Sequence, residues 1–229
     1  MPTYFDVTTW PRRDLFNFFL SYDNPYFNVC LRLDVTELLS WLRSRAKVSV
    51  SLANHYFALR VANEIEPFHY RLQDDKVLVH EVINGGTTVL LPDETFTFAY
   101  FDYHEGFDEF INSAQESVAQ TIAKPTFQPT PRDNLIYFTT LPWLSFTSFA
   151  HARKRGRGDS VPRIAFGRFL KENDRTWMPF SVEVHHALMD GLHVGRYVNR
   201  LQEALDNPGE FLSAQKTNRN PFPWRASEL

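Results

Sequence analysis

The chain has 229 residues, of which 43% are apolar, so it is long enough for one domain with a substantial core and short for two independent ones. Its formal net charge of −3 gives no general attraction to nucleic acid or to an anionic membrane. The single cysteine, Cys30, excludes an internal disulfide framework and clusters of zinc-binding cysteines. We see no signal-peptide pattern and no run of about eighteen apolar residues, so we expect a soluble, cytoplasmic protein.

Helical and strand patterns alternate in the first half of the chain. An apolar stripe carrying Leu15, Phe16, Phe18 and Phe19 predicts a first helix after Pro11. The period then changes to two, which is typical of consecutive strands, with turn signals at Asp74-Asp75, Gly85-Gly86 and Pro92-Asp93. In order, the patterns predict helices over 12–21, 36–45 and 51–65 and strands over 28–35, 69–73, 75–82, 87–91 and 95–103.

The second half continues the same mixture. An amphipathic helix over 107–123 is followed by a proline-rich connector, three apolar strand patterns within 134–143, 161–170 and 178–187, and a last helix from about 190. We therefore predict one α+β domain over 1–229, with a mixed or antiparallel sheet flanked by helices on one face. The tail from about Pro208 reads as irregular, and its PFPW segment could dock or fray.

One short basic cluster occupies residues 151–159, with the sequence HARKRGRGD. A solvated surface loop is the usual structure of such a run. The alternative is a contact with a phosphate group, which would involve Arg153, Lys154 or Arg155. Nucleic acid is a poor partner because one short loop on an acidic chain is a small electrostatic footprint.

The most informative segment is VEVHHALMDGLH, residues 182–193. A strand pattern ends in His185 and His186, and Asp190 and Gly191 then open a helix. Because consecutive side chains of a strand point to opposite faces, only one of the two histidines can face a given pocket. Asp190 lies where a carboxylate caps free amide groups or pairs with a cation.

Three interpretations of this segment remain open on spacing alone. His186, Asp190 and His193 could bind a metal ion. The histidines could be satisfied core residues beside a capping aspartate. One histidine could be a general base, because a neutral imidazole can take a hydroxyl proton at neutral pH.

The segment HHALMDGLHVGRYVNRLQEAL resembles the active-site signature of the chloramphenicol acetyltransferase family. Other segments are similar to that family in the same order: the Trp10-Pro-Arg-Arg13 run, the Leu141-Pro-Trp143 run and VPRIAFGRF over 161–169. The similarity extends to about Ala204. It implies an acetyl-CoA-dependent O-acetyltransferase that acetylates a hydroxyl of chloramphenicol, with no permanently bound cofactor and no metal.

The resemblance also implies roles for individual residues. His186 would be the general base, with His185 supporting it from the other face. Asp190 would form a structural ion pair with Arg12, and Thr139 would donate a hydrogen bond to the oxyanion. The acceptor pocket would include Phe18, Phe19 and Phe27, and the coenzyme would contact Arg168, Phe169 and Trp143.

Several positions depart from the family pattern. Thr139 replaces a serine, and Ala165 replaces a threonine that holds an ordered water. Phe19 replaces a tyrosine of the acceptor pocket and therefore lacks its hydroxyl. The remaining departures are Ser49 and Ser51 near a lysine and a tyrosine on the coenzyme side, Glu183 for a glutamine and Leu192 for an aromatic residue.

Because the chain carries one copy of the histidine motif, the resemblance implies a homotrimer whose sites lie between subunits. Phe18, Phe19 and Phe27 would then face the histidine of another subunit. A rival interpretation is the same acetyl transfer to a different small alcohol, which the Phe19 and Ala165 departures favour. A non-catalytic binding module is a further alternative, but it would not need His186, Thr139, Asp190 and Arg12 together. A dihydrolipoyl acyltransferase core would not explain the Trp10 and Trp143 segments.

Overall fold

Most strands of the computed structural model join one mixed sheet. The structure describes residues 3–45, 47–73, 76–127, 129–153 and 159–214. In the large sheet the strands run in the order β2-β10-β8-β7-β5-β6, and β9 pairs with β10 at one end. A smaller sheet has the order β1-β4-β3. The strands are β1 (Thr3–Phe5), β2 (Tyr26–Asp34), β3 (Tyr70–Gln73), β4 (Lys76–Val79), β5 (Asn84–Leu90), β6 (Phe96–Phe101), β7 (Leu135–Leu141), β8 (Arg163–Gly167), β9 (Leu170–Glu172) and β10 (Arg175–His185).

Six α-helices accompany the strands within the described ranges. The helices are α1 (Arg13–Leu20), α2 (Thr36–Leu42), α3 (Val50–Ala62), α4 (Phe107–Ala123), α5 (Gly191–Asp206) and α6 (Pro208–Ser213). Two short 3-10 turns occupy Val7–Thr9 and Glu66–His69. No helix among the described residues is long and apolar enough to cross a membrane.

The strand β7 shows how the sheet divides into an apolar and a polar face. Phe138 is buried and stacks on His55 of helix α3, with ring centroids 4.7 Å apart. Phe166 and Phe180 of the neighbouring strands are buried on the same side, and Tyr197 of α5 lies against Phe180. Because side chains alternate along a strand, Thr139 points to the opposite face. This confirms the predicted α+β mixed sheet with helices packed on its apolar face.

The register of the large sheet fixes which residues are neighbours on its second face. Strand β8 runs parallel to β7 and pairs Ala165 with Thr139. Strand β10 runs antiparallel to β8 and pairs Ser181 with Ala165. Thr139, Ala165 and Ser181 therefore form one row across three strands. His186 lies five residues beyond Ser181, just past the end of β10.

Two predictions about local structure are wrong. The Gly85-Gly86 pair was expected in a turn, but both residues lie inside β5. The reason is packing: a Cβ on Gly85 would overlap Cε2 of Phe101, so the strand needs glycine where an aromatic ring of β6 crosses it. The tail was expected to be irregular from Pro208, yet α6 begins there and buries Phe211.

The other turn predictions have mixed outcomes. The Pro92-Asp93 turn is confirmed, and Glu94 follows it with a φ of 65°. The Asp74-Asp75 turn and the PFPW segment over 221–224 lie outside the described residues.

Candidate active site

The two histidines sit where strand β10 ends. His185 is the last residue of β10 and pairs with Tyr26 of β2. The next amide, that of His186, donates to the carbonyl of Pro25 at 2.7 Å and so extends the ladder by one rung. As the alternation of a strand requires, the two imidazole rings meet different neighbours.

The His186 ring is half-buried between two aromatic rings. The Phe19 ring of α1 is stacked on it, with centroids 3.7 Å apart and an interplanar angle of 10°. The Phe27 ring of β2 lies 4.6 Å away and tilted. Both contacts occur within one chain, so the expectation that these rings reach the histidine from another subunit is wrong for Phe19 and Phe27.

The tautomer of His186 follows from its hydrogen bond. Its Nδ1 atom lies 3.1 Å from the carbonyl oxygen of Met189. A carbonyl oxygen only accepts, so Nδ1 carries the proton and Nε2 keeps its lone pair. Nε2 has no hydrogen-bond partner among the described residues. The ring is therefore held by one edge and offers a basic nitrogen at the other.

Arg12 and Asp190 meet as the sequence predicted. The Nη1 atom of Arg12 donates to Oδ2 of Asp190, and its Nη2 atom donates to the backbone carbonyl of His186 at 3.2 Å. The Arg12 side chain is 12% exposed and that of Asp190 31%. Arg12 thus ties the backbone of the histidine to the start of α5.

Asp190 also caps helix α5. Its Oδ1 atom accepts from the amide of Leu192 at 3.1 Å, which satisfies one of the free amide groups of the first turn. Nδ1 of His193 lies 2.9 Å from the same oxygen. Burial lowers the pKa of His193 from its usual value. One carboxylate therefore organises the strand-to-helix turn that presents His186.

The metal interpretation does not match this geometry. The carboxylate of Asp190 is shared by Arg12, Leu192 and His193, and Nδ1 of His186 faces a backbone carbonyl. Among the residues that the structure describes, no three His, Cys, Asp or Glu side chains are grouped closely enough to hold a metal ion.

His185 lies on the second face of the sheet and is 1% exposed. Its Nδ1 atom accepts from the amide of Ala187 at 3.2 Å, and its ring meets the Tyr26 ring edge-on at 5.1 Å. Burial lowers its pKa to about 4, so the ring is neutral at physiological pH. His185 is therefore a buried, uncharged ring directly beside His186 in the chain.

Within one chain, the structure does not bring Thr139 to His186. Thr139 shares a row with Ser181, and His186 lies five residues further along β10. At about 3.3 Å per residue, this is about 16 Å along the strand, in addition to the width of two strands. The two groups cannot both contact one small reacting centre of the same chain.

The predicted coenzyme contacts cluster at the Thr139 end of the sheet instead. Trp143 is 59% exposed, Arg168 is exposed, and Phe169 is partly buried against the core. The amide of Arg168 donates to the carbonyl of Leu144 at 2.7 Å, which holds the two segments together. Ser51 of α3 lies in the same region, 3.2 Å from the hydroxyl of Thr140.

Phe18 differs from the other two predicted pocket aromatics. It is 54% exposed and touches Phe19 and Tyr22 rather than His186. The predicted stripe of α1 is thus only partly buried, since Phe16 and Leu20 face the core and Leu15 does not. The exposed Phe18 ring is available to a ligand or to a second subunit.

Sequence reasoning missed some groups around His186. The carbonyl groups of Met189 and Pro25 orient it, and backbone groups leave no signal in a sequence. Arg153 was expected in a solvated loop, yet its side chain is 11% exposed and ion-paired. Lys154 and Arg155 lie outside the described residues. A run of charges such as 151–159 gives no sign in the sequence that Arg153 turns inward.

Comparison with solved structures places the fold. A chloramphenicol acetyltransferase structure superposes with a TM-score of 0.79 at 24% identity, covering 90% of this chain and all of that one. The dihydrolipoamide acetyltransferase of Azotobacter vinelandii superposes with a TM-score of 0.64 at 16% identity, covering 82% and 84% of the two chains. The chain therefore shares its fold with these two acetyltransferases.

Comparison of sequences narrows this class to one family. The sequence model of the chloramphenicol acetyltransferase family matches residues 2–202. The chloramphenicol acetyltransferase of Streptomyces acrimycini is 31% identical over 211 residues, which are 90% of this chain and 96% of that protein. That of Proteus mirabilis is 27% identical over 203 residues, covering 88% and 93%. The chain therefore belongs to the chloramphenicol acetyltransferase family, a family of acyltransferases, which confirms the resemblance.

Proposed function

We propose that this protein transfers the acetyl group of acetyl-CoA directly to a hydroxyl of chloramphenicol, with His186 as the general base. The observation that carries the proposal is the orientation of the His186 ring. Nδ1 donates to the carbonyl of Met189, so the lone pair is on Nε2. Nε2 makes no hydrogen bond to the described residues and is free to accept a proton from a substrate. The names of the relatives reported above identify chloramphenicol as the acceptor and an acetyl group as the group transferred.

The proposed reaction needs no covalent intermediate on the enzyme. Nε2 of His186 takes the proton of the acceptor hydroxyl while the oxygen attacks the thioester carbonyl. Thr139 donates a hydrogen bond to the resulting oxyanion, a contact worth about 3 kcal/mol in comparable sites. The intermediate expels the coenzyme thiolate, which takes the proton back from His186, and an acetyl ester remains. Holding both substrates together removes most of the entropic barrier.

The separation of Thr139 and His186 supports a site built from two subunits. One chain presents the base at one end of the sheet and the hydroxyl donor about 16 Å further along the strands. Both can act on one thioester only if they belong to different chains. We therefore infer a homotrimer in which His186 of one subunit faces Thr139, Trp143 and Arg168 of the next, where acetyl-CoA binds as a co-substrate.

A different small alcohol is the second candidate acceptor. Phe19 is stacked flat on His186 and offers no hydroxyl to an acceptor, and Ala165 beside Thr139 offers none to a water. Both departures leave the proton-accepting nitrogen in place while removing polar contacts. The two departures at Phe19 and Ala165 therefore affect which alcohol is accepted and do not affect the acetyl-transfer reaction itself.

The test is release of free coenzyme thiol from acetyl-CoA in the presence of chloramphenicol. The wild-type protein should release thiol, and His186→Ala should lower the rate by about 10²- to 10⁴-fold. His104→Ala, which removes a partly exposed histidine paired with Glu109, is the matched control and should keep the rate. Thiol release with other alcohols alone would favour the second acceptor, and release that survives His186→Ala would refute the assigned base.

A further inference from the structure

The second face of the sheet buries a carboxylate two residues before His185. Glu183 of β10 is 5% exposed and points to the same face as His185. Its register partner on β2 is Asn28, whose amide group lies 3.5 Å from Oε2 of Glu183. A buried carboxylate is destabilising unless a cation and hydrogen bonds compensate it.

Arg153 supplies that compensation. Its Nε atom donates to Oε1 of Glu183 at 2.5 Å, and its Nη1 atom lies 3.1 Å from Oδ1 of Asp159. Nη1 also donates to the carbonyl of Val161 at 3.2 Å. Asp159 is held in turn by Arg163 at 2.5 Å. The guanidinium group is thus fixed from several sides in a partly desolvated network.

The same guanidinium group lies over an aromatic ring of the next rung. Its Cζ atom is 4.1 Å from the centroid of the Tyr26 ring, a favourable cation–π distance. Tyr26 is the register partner of His185 and meets its ring edge-on. Arg153 therefore contacts Glu183 on β10, three residue pairs before the rung formed by His186 and Pro25, and Tyr26 on β2, one pair before it.

We propose that Arg153 is a positioning residue for His186, bracing the end of the β2–β10 pair through Glu183 and Tyr26. The proposal rests on the proposed role of His186 as the base. Arg12 donates to the carbonyl of His186 at the end of the strand. On the second face, Arg153 contacts Glu183 and Tyr26, which belong to the two residue pairs nearest the strand end on that face. Small displacements of a base from its substrate are sufficient to reduce catalysis strongly.

The pairing makes a specific prediction about compensation. Arg153→Gln leaves the carboxylate of Glu183 buried without its cation, which pulls the strand end toward water. Changing Glu183 to Gln in the same protein removes the buried charge. The two substitutions should therefore be strongly non-additive, as is expected for groups in direct contact.

The experiment compares kcat, the KM for acetyl-CoA and the melting temperature in a double-mutant cycle. Arg153→Gln should lower kcat by about tenfold or more, with the KM for acetyl-CoA within about twofold. The double variant R153Q/E183Q should recover kcat to within about threefold of wild type. If Arg153→Gln does not fold, Arg153→Lys keeps the charge without the flat, forked contact and should fold with a lowered kcat.

The matched control is Arg200→Gln. Arg200 is also a partly buried arginine, paired with Glu64 at 2.9 Å and lying over the ring of Phe211, but it is on α5 away from the histidines. It should lower the melting temperature without lowering kcat. A kcat loss in Arg153→Gln no larger than in Arg200→Gln would overturn the proposal.

A second measurement separates this proposal from the function on which it rests. The carbon-bound ring protons of His186, assigned with His186→Gln, should shift in the NMR spectrum of Arg153→Gln and stay unchanged in Arg200→Gln. Unchanged signals in both variants would overturn the positioning role. A wild-type protein that releases no thiol with any alcohol would instead contradict the proposed function.

Discussion

His55 is a buried titratable residue that takes no part in the proposed chemistry. It lies on α3 with its ring stacked against Phe138 and close to Phe101 and Phe166. Neither ring nitrogen has a hydrogen-bond partner among the described residues. Burial lowers its pKa from 6.5 to about 3, because a charged imidazolium cannot be solvated among aromatic rings.

This residue makes the fold sensitive to acid. Between about pH 6.5 and pH 3 the unfolded chain binds a proton at His55 and the folded chain does not, so the free energy of unfolding decreases as the pH falls. His55→Leu should weaken that dependence by up to about 1.4 kcal/mol per pH unit within this window. Urea unfolding at pH 7 and pH 5 measures it, with His104→Leu as the control. An unchanged slope would show that His55 is not the group responsible.

Asp190 joins stability to the orientation of His186. Asp190→Asn removes the negative charge that pairs with Arg12, whose side chain is only 12% exposed. The substitution also weakens the N-terminal cap of α5. Since Asp190 itself is 31% exposed, we expect a loss below the fully buried case, about 1–3 kcal/mol, with a lower kcat. Thermal melting and thiol release check both effects.

The exposed pair of Arg13 and Asp14 provides the comparison. Its side chains are 54% and 89% exposed, so Asp14→Asn should change stability by less than about 1 kcal/mol. If Asp190→Asn melts and reacts like the wild type, the pair with Arg12 has no structural role in the site.

The sequence predicted those residues of the candidate site that take part through their side chains and belong to a motif. His186, Asp190 and Arg12 belong to a recognisable motif, and the structure brings them together. The inward turn of Arg153 was not predictable, because Arg153 lies in the connection between β7 and β8 and its partner Glu183 lies thirty residues away on β10. Pairings of that kind depend on sheet register, which local sequence does not specify.

At the scale of elements, most helices and strands follow their local patterns. Helix α4 begins and ends at the predicted residues, and α5 buries Val194, Tyr197, Leu201 and Leu205 at helical spacing. Strand β1 was not predicted, since three residues carry too little periodicity and gain their structure from pairing with β4. The error at Gly85-Gly86 has the same origin, because the need for glycine comes from Phe101 on the next strand.

Gly85 and Gly195 form a matched pair for testing that explanation. A Cβ at Gly85 would overlap the Phe101 ring, which is 3% exposed and packed against Phe110, so Gly85→Ala should destabilise the protein by about 1–3 kcal/mol. A Cβ at Gly195 in α5 meets nothing within 4 Å, so Gly195→Ala should stabilise it by about 0.5–1 kcal/mol. Urea unfolding measures both. A neutral Gly85→Ala would show that β6 can move aside.

At the scale of the whole molecule, one chain holds two incomplete halves of the proposed site. The His186 half has the proposed base and an aromatic wall formed by Phe19 and Phe27, and Thr139 does not reach it. The Thr139 half has the proposed hydroxyl donor together with exposed Trp143 and Arg168, and His186 of the same chain does not reach it. The sheet is continuous between them, so bending within one chain cannot bring the halves together. Assembly is the remaining route to a complete site.

Mixed assemblies of two inactive variants test this directly. His186→Ala keeps Thr139, and Thr139→Ala keeps His186 but should lose about 10²- to 10³-fold in kcat. If sites form between subunits, refolding the two variants together should create interfaces that have both intact groups, and activity should rise well above the sum of the separate proteins. Refolding each variant alone is the control. Activity equal to that sum, in an assembly that sedimentation shows to be mixed, would mean that both groups act within one chain or that Thr139 is not the donor.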